Sequence, residues 1–214
     1  MRNALTPRRG PESMIEMLEG RRLLSATVED DGLEITGTDS DDRIVVRQTA
    51  AGNIRVALNG ESVRFFHPDR FNVIKVFGGD GIDRITVENS VTMKTKLAGG
   101  DGNDIISGGA GNDYIFCGAG DDRADGNGGS DTISAGAGDD TLFGGAGNDT
   151  IDGSGGDDVI NGEDGIDRII GGSGGDTIDG GAGLDVISGS RGFDLFQQQE
   201  RDNNEIRDFG LVAE

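Results

Sequence analysis

Residues 144–161 read GGAGNDTID GSGGDDVIN, which is two nine-residue units placed end to end. Each unit opens with a glycine-rich segment, carries Asp at its sixth position and carries Ile at its eighth. A flexible polar spacer has a similar composition, but it does not require a fixed distance between these residues. The spacing in the rest of the chain therefore decides between a spacer and a folded repeat.

The nine-residue period runs without interruption from Gly99 to Gln197. Eleven consecutive units contain no insertion; position 4 is always Gly, position 6 is always Asp, and position 8 is Ile, Leu or Phe except at Ala124. Low-complexity spacers do not keep three positions in register over such a length, so the pattern indicates a repeat fold. Two isolated units, GTDSDDRIV at 37–45 and GGDGIDRIT at 78–86, precede the array.

The period matches the calcium-binding nonapeptide pattern G-G-x-G-x-D-x-U-x, in which U is a large apolar residue. The sequence therefore resembles the RTX (hemolysin-type calcium-binding repeat) family over nearly half of its length. Each unit divides into a six-residue turn and a three-residue strand, whose position-8 side chain points inward. We predict an all-β fold, a parallel β-roll (a right-handed β-helix-like solenoid), in which two units form one 18-residue coil and the strands form two facing parallel sheets.

Alternate units fall on the same side of such a roll, so the position-6 aspartates form two columns of carboxylates roughly 5 Å apart. Column 1 contains Asp104, Asp122, Asp140, Asp158, Asp176 and Asp194. Column 2 contains Asp113, Asp131, Asp149, Asp167 and Asp185. Without counter-ions, neighbouring carboxylates repel each other. Oxygen-rich turns suit Ca²⁺, whereas Zn²⁺ prefers His or Cys, and this chain has one of each.

In the RTX family, calcium lies between two turns on the same side and is held by position-6 carboxylates and turn carbonyls. The resemblance therefore implies up to five sites in column 1 and four in column 2, or up to about nine calcium ions. The predicted metal ligands are Asp104, Asp113, Asp122, Asp131, Asp140, Asp149, Asp158, Asp167, Asp176 and Asp185. Three units have an apolar residue at position 5 (Ile166, Leu184 and Phe193), and the array is closest to the consensus over 99–161.

Charge separates the chain into segments. The chain carries a net charge of −21, and residues 99–197 contain 20 acidic and 3 basic residues together with 30 of the 40 glycines. Such a polyanion repels nucleic acid and anionic membrane surfaces, and no apolar stretch is long enough to predict a membrane span. Calcium ions are the predicted partners, and a cell-surface or glycan partner remains open.

Four segments follow from these patterns. Residues 1–26 resemble a leader or form a terminal helix, and residues 27–98 contain short alternating strands that form either the first rungs or cap of the roll or an independent small β-domain. Residues 99–197 form the roll. Residues 198–214 resemble the end of many RTX arrays, in which an uncleaved C-terminal signal directs export, so we predict a C-terminal cap and a possible export signal.

The predicted function is that of a secreted, non-enzymatic calcium-binding protein that folds when it binds Ca²⁺ in the extracellular space or at a cell surface. An adhesive module that binds carbohydrate is the alternative, and a polysaccharide-modifying enzyme or toxin fragment of the RTX class is a third. The segment GGSGG at 171–175 matches the nucleophile motif G-x-S-x-G only formally, because no strand–turn–helix surrounds it. We therefore predict no catalytic residues and no organic cofactor.

Overall fold

The computed structural model describes residues 25–197 and 205–206, and these residues form β-strands and turns with one 3₁₀ turn at Pro68–Arg70. The predicted leader or helix at the N-terminus lies almost entirely outside the described residues, as does most of the predicted C-terminal cap.

The strands are numbered in chain order. They are β1 (Ser25–Glu29), β2 (Gly32–Thr36), β3 (Arg43–Gln48), β4 (Ile54–Leu58), β5 (Glu61–Phe66), β6 (Val73–Asp80), β7 (Arg84–Val87), β8 (Thr95–Asp101), β9 (Ile105–Ser107), β10 (Tyr114–Ala119), β11 (Arg123–Asp125), β12 (Thr132–Ala137), β13 (Thr141–Ala146), β14 (Thr150–Gly155), β15 (Val159–Asp164), β16 (Arg168–Ser173), β17 (Thr177–Asp179), β18 (Val186–Arg191), β19 (Leu195–Gln197) and β20 (Glu205–Ile206).

The strands stack into two sheets. Sheet A has the order β1-β2-β6-β8-β10-β12-β14-β16-β18-β20, and sheet B has the order β19-β17-β15-β13-β11-β9-β7-β3-β4-β5. In the repeats, neighbouring strands are parallel and their partners are 18 residues apart, as in the row Ile115, Ile133 and Ile151 of sheet A. Consecutive units therefore alternate between the sheets, which confirms the parallel β-roll predicted from the nonapeptide period.

Strands from the region before the array belong to the same two sheets. In sheet A, β2 pairs with β6 and β6 pairs with β8, all in parallel; in sheet B, β3 pairs with β7 and β7 with β9. Antiparallel pairs follow at the edge of each sheet. In sheet A, β1 pairs with β2; in sheet B, β4 pairs with β3 and β5 pairs with β4. These hairpins replace open parallel edges with antiparallel ones at one end of the roll.

The core is a narrow layer between the sheets. Because side chains alternate along a strand, position 8 points inward, and from Ile106 to Ile187 each position-8 side chain is at most 2% exposed. Ala124 contributes less volume than its neighbours in this row, but two larger residues replace glycine at position 1 on the adjacent strands of sheet A. These residues, Cys117 and Ala135, are fully buried.

Candidate metal centre

The ten predicted ligands all lie inside the roll. Each of these aspartates is 0–3% exposed, although the nine other than Asp185 form no ion pair with a described basic side chain. They sit where the turn of each unit enters its strand, directly before β9 to β18. Burying so many carboxylates without cationic side chains is unfavourable unless other groups satisfy them, so the environment of each oxygen is informative.

One oxygen of each carboxylate is satisfied by the backbone. Along column 1, the amide N–H of Asp104 donates to Oδ1 of Asp122, and the amide of Asp122 donates to Oδ1 of Asp140, each at 2.7 Å. Column 2 repeats the arrangement, with the Asp113 amide donating to Asp131 Oδ1 at 2.7 Å. The ladder reaches Asp194 and Asp185, so each aspartate links its own coil to the preceding one.

The second oxygen has no such donor in most turns. Oδ2 is buried and accepts no hydrogen bond in Asp83, Asp104, Asp122, Asp131, Asp140, Asp149, Asp158, Asp167, Asp176 and Asp194. Asp113, the first residue of column 2, differs because its Oδ2 accepts the amide of Gly109 at 2.8 Å. A repeated buried acceptor without a donor is the feature expected of an oxygen that binds a cation.

The glycine at position 1 brings a backbone carbonyl close to this oxygen. A Cβ atom added to Gly99 would meet Asp104 Oδ2 and would lie 2.6 Å from the carbonyl oxygen of Cys117 in the next coil. Corresponding contacts recur at Gly126, Gly144 and Gly153. Glycine therefore lets a carboxylate oxygen and a carbonyl oxygen approach the same narrow space, which a Cβ atom would occupy; Cys117 and Ala135 carry such an atom at position 1 of two units.

The electrostatic cost of this burial appears in the pKa values. Burial away from water, reinforced by neighbouring aspartates, raises the pKa of Asp122, Asp131, Asp158 and Asp167 to about 7. The same causes raise the pKa of Asp83 to about 6, and the pKa of Asp140 also rises to about 6. Backbone donors oppose these shifts without cancelling them. The charged columns are therefore unfavourable in the folded chain unless a positive charge accompanies them.

A second, exposed ladder runs along position 5. Oδ1 of Asp121 accepts the amide of Asp139 at 3.0 Å, and Oδ1 of Asp139 accepts the amide of Asp157 at 2.8 Å. The apolar residues noted in the sequence interrupt it, because the side chains of Ile166 and Leu184 cannot accept hydrogen bonds. Both remain more than half exposed, and Phe193 is 95% exposed.

Sequence reasoning did not include two aspartates that continue column 1 towards the N-terminus. The amide of Asp83 donates to Asp104 Oδ1, and the amide of Asp42 donates to Asp83 Oδ1, each at 2.7 Å. The two isolated nonapeptide units at 37–45 and 78–86 were the signal for them. Asp83 has the same unpartnered Oδ2 as the array, and the space beside Gly78 is bordered by Asp83 Oδ2 and the Gly99 carbonyl.

Asp42 ends the column in a different way. Its Oδ2 accepts the backbone amide of Thr38 at 2.6 Å and the Thr38 hydroxyl at 2.9 Å, and its Oδ1 accepts the Asn59 side-chain amide at 2.8 Å. Protein donors thus satisfy both oxygens of this carboxylate. Among the turns that follow, the turn of Asp113 has a comparable donor to Oδ2, whereas most of the others lack one.

The donors around these spaces are carboxylate and carbonyl oxygens. Within the described residues, no group of three or more His, Cys, Asp or Glu side chains is close enough to hold a metal, so any ion must take backbone ligands as well. Calcium accepts six to eight oxygen ligands, including carbonyls, whereas zinc prefers His nitrogen and Cys sulfur. The residues present therefore fit Ca²⁺.

Comparison with known families agrees with this chemistry. The profile of the RTX calcium-binding nonapeptide repeat (4 copies) matches residues 96–124, 125–160 and 161–196. Residues 96–196 are RTX calcium-binding nonapeptide repeats. The RTX repeats of this chain thus form a β-solenoid of a kind that binds calcium. No curated protein matches the chain. In the described part of the chain, no helix has the length and apolar character required to span a bilayer.

Proposed function

We propose that the protein is a non-catalytic calcium-binding module that folds into its roll when Ca²⁺ binds between successive turns. The observation that carries this proposal is the row of buried Oδ2 atoms, which have no donor and face backbone carbonyls. Calcium would supply the missing positive charge. The ligands would be the ten predicted aspartates, with up to about nine ions between their turns.

Asp83 is proposed as a further ligand. Its carboxylate is 1% exposed, and its Oδ2 has the same surroundings as those of the array. Because Asp42 is satisfied by protein donors, the proposed ion column begins beside Asp83 and ends in the last turns of the array. Residues 27–98 would then be the first rungs of the same module.

Each part of the chain has a defined role in this proposal. The position-1 residue, glycine except at Cys117 and Ala135, would border the ion. The position-6 carboxylates would bind it through Oδ2, which in Asp113 also accepts the Gly109 amide, and their Oδ1 atoms fix the spacing between coils. The calcium-free chain would be a polyanion with a thin core, so binding and folding would be coupled. Extracellular modules commonly bind calcium at roughly 10⁻⁴–10⁻³ M, which favours a secreted or cell-surface location.

Far-UV circular dichroism during a calcium titration tests the proposal. Starting from chelator-treated protein, we expect a cooperative gain of β signal at millimolar or lower calcium, and a much smaller gain with magnesium at the same concentration, because Mg²⁺ retains its water ligands. Isothermal titration calorimetry would then count the ions. A β signal that is already complete in chelator, or absent at millimolar calcium, would contradict the proposal.

A further inference from the structure

The outer face of sheet B carries a row of basic side chains on neighbouring strands. The register places Arg43 beside Arg84, Arg84 beside Ile105, and Ile105 beside Arg123. All four side chains point away from the core and are exposed. We name these four residues the arginine row; it crosses β3, β7, β9 and β11 and extends along the axis of the roll for about three strand spacings, or roughly 14 Å.

The three guanidinium groups form no ion pair with a described acidic side chain, although the charge of Arg123 partly offsets the rise in the pKa of Glu163. Arg123 lies over the ring of Phe143, with 4.3 Å between its Cζ atom and the ring centroid. This cation–π contact orients one guanidinium and leaves its N–H groups available.

Unpaired arginines are unexpected in a chain with a net charge of −21. The exposed acids of the repeats, such as Asp121 and Asp139, lie at the turns that border the sheets, whereas Asp125, two residues after Arg123 on β11, is a half-buried acid on the same face. The arginine row is therefore a narrow positive strip beside negative turns. A wide polyanion, such as duplex nucleic acid or an anionic membrane, would meet those turns as well and be repelled.

A thin linear polyanion avoids this repulsion. Arginine binds planar carboxylates through two parallel hydrogen bonds, which makes it suited to carboxylated ligands. Neighbouring parallel strands are about 4.8 Å apart, which is close to the length of one pyranose residue in an extended chain. An acidic polysaccharide that runs along the roll axis would therefore present successive sugars to successive strands.

We infer that the arginine row is a binding site for an extended anionic polysaccharide that carries carboxylate groups. Arg43 and Arg84 bind carboxylates on adjacent sugars, Arg123 binds one two sugars further on, and Ile105 contacts the sugar between them. Beyond Arg123, the same row continues through Thr141, Val159 and Thr177, which are small enough to leave the face flat. The site rests on the calcium-bound fold proposed above, because that fold sets the register of the strands.

The test compares two variants that remove the same charge from opposite faces. One carries Arg43→Gln, Arg84→Gln and Arg123→Gln. The control carries Lys75→Gln and Lys96→Gln, which are register neighbours on sheet A, together with Lys94→Gln directly before β8. Both are measured in saturating calcium by isothermal titration calorimetry against hexagalacturonic acid, with maltohexaose and a hexaglutamate peptide as further probes. Circular dichroism of each variant checks its calcium-dependent fold.

We expect hexagalacturonic acid to bind the wild-type chain and the lysine variant with affinities within about twofold, and the arginine variant at least about tenfold more weakly. Binding should weaken as salt is added. No binding to the wild-type chain, equal losses in both variants, or equal binding of maltohexaose or hexaglutamate would overturn the inference. A normal calcium response in circular dichroism would show in each of these cases that the proposed function stands independently.

Discussion

Asp131 shows how one side chain serves both the fold and the proposed ion site. Its Oδ1 accepts the amide of Asp113 at 2.7 Å, while its Oδ2 is buried without a donor. The exposed Asp139 at position 5 also accepts a backbone amide, from Asp157 at 2.8 Å, but it lies at the surface. The two residues therefore separate the structural hydrogen bond from the proposed metal ligand.

We predict that Asp131→Asn lowers the number of bound calcium ions by about one, whereas Asp139→Asn leaves it unchanged. Asn keeps an oxygen that can accept the backbone amide, but it is uncharged and a poorer calcium ligand than a carboxylate. Each substitution removes one negative charge, so the difference between them isolates the buried position. Isothermal titration calorimetry measures the number of calcium ions that each variant binds. Equal effects of the two variants would argue against column 2 as a metal site.

Position 2 of the repeat contains non-glycine residues in a glycine conformation. Asn127, Ser154, Glu163 and Ser190 have φ values of 67–76°, which side chains other than Asn and Asp adopt at a cost. In three of these turns an Asp or Asn two residues earlier accepts the position-2 amide, for example Asn161, which accepts from Glu163 at 3.0 Å. This hydrogen bond supports the turn without removing the steric cost.

Glu163→Gly should therefore stabilise the calcium-bound roll by about 0.5–1 kcal/mol relative to Glu163→Gln. Both variants remove the charge of this exposed residue, but only glycine relieves the left-handed φ, and part of that gain is offset by the greater flexibility of glycine when unfolded. Urea denaturation at fixed calcium measures the difference. If the glutamine variant is as stable as the glycine variant, the conformational cost at position 163 is negligible.

At the scale of the strand, the sequence predicted the fold well because its signal is periodic. Position 6 and position 8 repeat every nine residues, which fixed the two sheets, the inward row of Ile side chains and the two carboxylate columns. The same reasoning did not predict that Asp83 and Asp42 continue column 1. Their partners lie 21 and 41 residues apart instead of 18, so insertions hide the register in the sequence.

The sequence also could not predict that the two oxygens of each carboxylate have different partners. Thr38 and Asn59 satisfy Asp42 from two separate turns, the second of which joins β4 to β5, and these contacts depend on the three-dimensional arrangement. Similarly, the arginine row follows from the pairing of β3 with β7, which the nonapeptide period does not encode. Features set by long-range register require the folded chain.

Core truncation should be costly because the core is only one side chain thick on each sheet. Ile151 is fully buried, and its neighbour Thr150 on the same strand is exposed. We predict that Ile151→Ala destabilises the calcium-bound protein by about 2–5 kcal/mol, whereas Thr150→Ala changes stability by no more than about 0.5 kcal/mol. Urea denaturation in saturating calcium measures both. A loss below about 1 kcal/mol for Ile151→Ala would mean that the roll closes the cavity by relaxing.

Across the whole molecule, the two carboxylate columns make stability depend on pH in a calcium-dependent way. In the calcium-free fold, burial raises the pKa of residues such as Asp131 and Asp158 to about 7, well above the value of about 4 for unfolded aspartate. The folded chain therefore holds more protons than the unfolded chain between about pH 4 and pH 7. Its stability should rise as pH falls through this range, and the stabilisation by the bound protons should be lost as pH rises through about 7.

Calcium binding has the opposite pH dependence, because calcium requires the charged carboxylates and competes with protons for them. We predict that lowering the pH from about 7.5 to about 5 increases the β signal of the protein in chelator, while it raises the calcium concentration needed for half-maximal folding. Far-UV circular dichroism at the two pH values, with and without calcium, measures both effects. Two results would contradict the idea that protons and calcium share the buried carboxylates. One is a loss of β signal in chelator on acidification, and the other is a calcium midpoint that is the same at both pH values.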